Sequence, residues 1–107
     1  MDTHCIVANK YKSALEEGYA KQLELLHLGG EIQWWRYEGI RLHLGGGAWY
    51  KPDFVYLDNK GQIHIHETKG HWMEAARVRI KVASELYPMF RFVAVKRKNR
   101  QFEYEEF

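Results

Sequence analysis

Two alternating runs, Phe54-Val55-Tyr56-Leu57 and Ile63-His64-Ile65-His66, flank the segment Asp58-Asn59-Lys60-Gly61-Gln62. A loop of this kind closes a β-hairpin when its glycine takes the left-handed conformation, which glycine adopts without steric penalty. Asp58 then faces Gln62, and the register follows: Leu57 opposite Ile63, Val55 opposite Ile65, and Asp53 opposite Glu67. With a side-chain period of two, Val55, Leu57, Ile63 and Ile65 share one face, while Phe54, Tyr56, His64 and His66 share the other. A slip by one residue would mix the two sets, so the register is strongly specified.

That register carries an electrostatic conflict. Asp53 and Glu67 stand side by side on a largely buried face, with Cβ atoms about 5 Å apart. Two like charges at that separation repel by roughly 3–4 kcal/mol at an effective dielectric near 20. Lys69 lies two residues beyond Glu67 and therefore on the same face. One ammonium does not neutralise two carboxylates together with a substrate phosphate, whereas a divalent cation would.

Pro52-Asp53, followed on the next strand by Glu67-Thr68-Lys69, resembles the PD-(D/E)xK motif of the restriction-endonuclease-like superfamily. The surrounding text is Tyr50-Lys51-Pro52-Asp53-Phe54, His66-Glu67-Thr68-Lys69-Gly70, and Ala76-Arg77 to Tyr87-Pro88. It is similar to small phage-encoded endonucleases related to the phage junction-resolving enzymes, over residues 13–95. The resemblance implies a DNA endonuclease dependent on Mg²⁺ or Mn²⁺, with no organic cofactor. Asp53, Glu67 and the backbone carbonyl of Thr68 are its expected metal ligands, and Lys69 is expected to orient the attacking water or stabilise charge on phosphorus. Gly70 is expected to let the chain turn into the next helix. The resembled enzymes also carry a glutamate on the first helix, which makes Glu16 an expected accessory ligand. Glu16 reads equally as a capping-box residue three positions after Ser13, and Glu17 is its neighbouring candidate.

Along the chain, residues 13–28 predict a helix, with Leu15, Tyr19, Leu23 and Leu26 at helical spacing and Gly29-Gly30 ending it. Strands are expected at 31–37 and 40–44, and Gly45-Gly46-Gly47 as a turn into the hairpin. Residues 72–86 predict a second helix, with Met73, Ala76, Ile80, Ala83 and Tyr87 on its apolar side and Pro88 as its stop. Residues 90–95 read as a buried strand reached by a helical crossover, hence parallel to the second hairpin strand. The expected architecture is an α/β (α+β) mixed sheet flanked by helices, in the order α-β-β-β-β-α-β. It forms one domain over residues 1–107, with the first ten or so residues and the C-terminal tail peripheral.

Composition narrows the classes. Apolar residues make up 46% of the 107, and 15% are aromatic, which excludes a disordered chain. No apolar run approaches the ~20 residues of a membrane span, and no signal-peptide pattern is present. Cys5 is the only cysteine, which fits a reducing cytoplasm, that of a bacterial host if the chain is phage-encoded. The net charge of +2 says little by itself. The cluster Arg91, Lys96, Arg97, Lys98 and Arg100 reads alone as solvated surface, and beside a phosphodiesterase site as a backbone clamp. Arg77 and Lys81, one helical turn apart, are spaced for adjacent phosphates or simply for solvent.

Other chemistries are weaker. The glycine run lacks the Gly-Lys-Ser/Thr of a P-loop. His64 and His66 could hold a transition metal, but Glu67 points to the opposite face, and packing against Phe54 and Tyr56 is the expected use. Trp34, Trp35 and Tyr37 could stack on bases, although at least half of them should be core. The expected partners are DNA, a second copy of the chain to cut the second strand, and a phage or host protein that supplies selectivity. The competing reading is a non-catalytic DNA- or protein-binding module on the same fold.

Overall fold

The computed structural model describes residues 10–107. Helix α1 spans Ala14–Leu28, where Ser13 caps it by accepting the Glu16 amide at 3.1 Å on its hydroxyl. Strand β1 is Ile32–Tyr37, β2 Leu42–Gly45, β3 Ala48–Tyr50, β4 Phe54–Asp58 and β5 Ile63–Thr68. Helix α2 follows at Glu74–Leu86, then β6 at Arg91–Lys98 and β7 at Gln101–Glu106. Five strands form one sheet in the order β1-β4-β5-β6-β7, and β2 with β3 forms a separate two-stranded ribbon.

The β4–β5 hairpin has the register that its alternation dictates, pairing Val55 with Ile65 and Leu57 with Ile63. Gly61 sits in the left-handed region at φ +87°, and the Asp58 amide donates to the Gln62 carbonyl at 3.0 Å. β6 lies parallel to β5, as the helical crossover requires, and every other pairing in the main sheet is antiparallel. Each sheet face buries one helix. Tyr19, Ala20 and Leu23 of α1 pack with Phe54, Val93 and Val95, and Ile80 and Ala83 of α2 pack with Val55, Ile65 and Phe92. No helix among the described residues is long and apolar enough to cross a membrane.

Several elements differ from expectation. The 40–44 strand does not join the main sheet but folds back on β3, a three-residue strand that alternation does not disclose. Gly45, Gly46 and Gly47 all have positive φ and form the ribbon's tip. The C-terminal tail is not merely peripheral, because β7 pairs along β6 from Gln101 to Glu106. Its hairpin turns on Asn99 and Arg100, both left-handed at φ 52° and 67°, a conformation favoured by hairpin twist but disfavoured for arginine. Met73 is 63% exposed, outside the apolar side of α2. Gly70 lies outside the left-handed region with open space where a Cβ would stand, so the chain turns there without needing glycine. Cys5 lies outside the described residues.

Candidate functional site

Asp53 directly precedes β4 and Glu67 is the penultimate residue of β5, so the hairpin register alone brings them together. They are tied reciprocally through the backbone. The Asp53 amide donates to Glu67 Oε1 at 3.1 Å. Thr68 returns two bonds to Asp53 Oδ2, from its amide at 2.9 Å and its hydroxyl at 2.8 Å. The Tyr50 hydroxyl, at the end of β3, also donates to Glu67 Oε1, at 3.1 Å. Each carboxylate is therefore fixed by one oxygen. Asp53 Oδ1 stays out of these bonds, and Glu67 Oε2 faces Lys69 Nζ at 3.4 Å.

Both acids are buried, and their protonation responds. Burial first, and the Asp53 charge second, push Glu67 up to about 7 against the pull of Lys69 and the donors. Asp53 is also raised, chiefly by burial and further by the Glu16 charge, while Thr68 and Lys69 hold it down. Burial thus works against both acids being charged at once. This is the conflict that the register anticipates.

The remaining site candidates are placed as follows. Glu16 is buried on α1, whereas Glu17 turns to Lys21 at 3.5 Å. Glu16 Oε1 accepts the Tyr37 hydroxyl and the Lys12 amide, each at 2.7 Å. Its reach back along the chain resembles a capping box displaced by one residue, to Lys12 rather than Ser13. Among the described residues no group of three or more histidine, cysteine or acidic side chains could hold a metal ion, while the Glu16 charge reaches Asp53 and raises it.

Strand alternation splits the basic run of β6. The parallel register sets Ala94 beside Glu67, so Lys96 comes level with Lys69 on the carboxylate face, with Lys98 two residues further. Arg97 faces the other way, its guanidinium 4.8 Å from the Phe102 ring centre and close against Gly18 of α1. Arg77 makes a two-pronged contact with Glu105 at 2.6 and 3.0 Å, while Lys81 is exposed.

The histidines pack, as alternation suggests. His64 stacks on Tyr56 at 4.4 Å and bonds Asp58 Oδ2 at 2.8 Å. His66 is buried with Nδ1 2.6 Å from the Tyr19 hydroxyl, and burial lowers its pKa to about 3. Trp34, Trp35 and Tyr37 are all partly buried, Trp35 donating to Glu24 at 2.9 Å and Tyr37 to Glu16. They support the core rather than offer a stacking surface.

Comparison of the chain with protein-family models, with curated proteins and with solved structures finds no match in any of the three. Function therefore has to be argued from the site. Tyr50 is the contributor that sequence reasoning passes over, since nothing in its local pattern signals a hydroxyl aimed at Glu67. Its burial at the end of a short strand is a tertiary effect.

Proposed function

We propose that this chain is a metal-dependent DNA endonuclease that hydrolyses phosphodiester bonds, with Asp53, Glu67 and Lys69 at its centre. The carrying observation is the reciprocal fixing of two buried carboxylates beside a half-exposed lysine. Structural need does not explain such a pair, because burying like charges together opposes folding. The resemblance of Pro52-Asp53 and Glu67-Thr68-Lys69 to the PD-(D/E)xK motif supports the same reading.

The donor set suits a hard cation. Mg²⁺ is commonly held by one or two carboxylates with water and substrate phosphate, so Asp53, Glu67 and the Thr68 carbonyl would suffice without Glu16. When bound, Mg²⁺ or Mn²⁺ would polarise the scissile phosphate and lower the pKa of the attacking water. The protein's own part is positional. Thr68 holds Asp53, Tyr50 holds Glu67, and Glu16 adds negative charge behind Asp53. Lys69, with its side chain 39% exposed, can meet charge developing on phosphorus. Lys96 on the same face supplies a backbone contact.

Cutting both strands calls for two sites, so a homodimer is the expected working form. A phage-encoded protein acting on branched DNA in a bacterial cytoplasm is the setting that the resemblance implies, with a phage or host partner lending selectivity. The test is nicking of supercoiled plasmid and of a four-way junction in Mg²⁺, Mn²⁺ or EDTA. Metal-dependent cutting should fall at least ~100-fold in Lys69→Ala, the scale of losing one charge-stabilising donor. Cutting that persists in the variant removes Lys69 from the site, and DNA binding without cutting favours the binding-module reading.

A further inference from the structure

The β2–β3 ribbon has two unlike faces. Leu42 and Tyr50 turn inward and pack with Ile80 and Ala83 of α2. Arg41, His43 and Trp49 turn outward, with His43 paired directly across from Trp49. The ribbon is anchored at both strands. The Tyr87 hydroxyl donates to the His43 carbonyl at 2.7 Å, and the Tyr50 hydroxyl donates to Glu67. Whatever the outer face touches is thereby held in fixed relation to the carboxylate pair.

The outer face is built from stacking groups. The Arg41 guanidinium lies 4.7 Å from the Trp49 ring centre, and the His43 ring lies 4.8 Å away, tilted by 48°. With both neighbours in place Trp49 is still 50% exposed. Trp34, Trp35 and Trp72 are each at least partly buried, so among the described residues this is the tryptophan offered to solvent. At the tip, Gly45, Gly46 and Gly47 leave open space at every Cβ position, allowing another molecule's backbone to approach closely.

We propose that this outer face is a DNA-contacting surface, on which Trp49 stacks against an unstacked base while Arg41 holds an adjoining phosphate. An exposed aromatic beside a guanidinium is the combination that single-stranded and distorted nucleic acid selects, since every base has a π-face. The occupant is DNA with bases available for stacking, as at a branch point or in a single strand, rather than regular duplex. The proposal rests on the nuclease reading and adds a source of substrate preference. Asp53, Glu67 and Lys69 recognise only phosphate and metal and would treat all DNA alike. The ribbon would favour branched DNA.

The experiment measures binding of a labelled four-way junction, a matched linear duplex and a single strand by fluorescence anisotropy, with Ca²⁺ replacing Mg²⁺. Cutting of the same substrates is followed separately in Mg²⁺. Trp49→Ala should weaken junction and single-strand binding about 5- to 150-fold, the range that base–aromatic stacking covers. Duplex binding should change less, and Trp49→Phe should recover most of the loss. Arg41→Ala should weaken binding and flatten its salt dependence. Leu25→Ala, at a position 67% exposed on α1, is the control for losing exposed apolar surface and should bind as wild type. Wild-type affinity in Trp49→Ala overturns the ribbon proposal and leaves the nuclease reading standing. Trp49-dependent binding with no cutting in Mg²⁺ supports the ribbon and rejects the nuclease. A wild-type protein that binds none of the three DNAs overturns both.

Discussion

Glu67 and His66 are neighbours on β5, and burial displaces them in opposite senses. Glu67, raised to about 7, stays protonated in the folded protein after its unfolded counterpart has ionised near 4.5, so stability falls as pH rises between those values. His66, lowered to about 3, stays neutral in the fold while an unfolded histidine protonates below 6.5, so stability falls as pH drops from 6.5 toward 3. Between pH 4.5 and 6.5 the Glu67 and His66 slopes oppose and partly cancel, with the raised Asp53 adding to the Glu67 side. Glu67→Gln should remove its opposing share, so that stability rises more steeply with pH across that window than in wild type, by at most about 1.4 kcal/mol per pH unit. Urea denaturation at a series of pH values checks both, and a slope in wild type equal to that of Glu67→Gln would mean that Glu67 is not perturbed.

At the scale of elements, β6 and β7 carry the clearest consequences. The two-residue loop Asn99-Arg100 places arginine in the left-handed region, so Arg100→Gly should raise stability by about 1 kcal/mol, read as a higher denaturation midpoint. The split of the basic run separates two roles. Lys96→Ala should weaken DNA binding and reduce the salt slope by about 0.9, the share of one phosphate contact, while leaving the fold intact. Arg97→Ala should mainly lose packing against Phe102 and α1, with the salt slope unchanged. Measuring the salt slope for each variant decides it, and equal slopes would return both residues to a common clamp.

Across the whole molecule, the legible parts of the sequence were those governed by local rules. The β4–β5 register could be read because Gly61 fixes the loop and because alternation separates Val55 and Ile65 from Phe54 and His66. That register also gave the Asp53–Glu67 juxtaposition. β3 and β7 were not legible, for a physical reason in each case. Three residues are too few to show alternation, and Asn99-Arg100 lacks the glycine that usually marks a two-residue hairpin. Contacts that depend on tertiary approach, such as Tyr50 to Glu67, Tyr37 to Glu16 and Arg77 to Glu105, have no period or spacing to announce them.

The central proposal is that folding confines two carboxylates which a divalent cation would reconcile when both are charged. It is tested most directly by following free Mn²⁺ with electron paramagnetic resonance as wild-type protein, Asp53→Asn and Glu67→Gln are added near pH 7.5, without DNA. The account predicts that wild type depletes the free-Mn²⁺ signal at millimolar or lower metal and that each variant loses most of that binding while still folding. Equal depletion by wild type and both variants, or none by wild type, would contradict it.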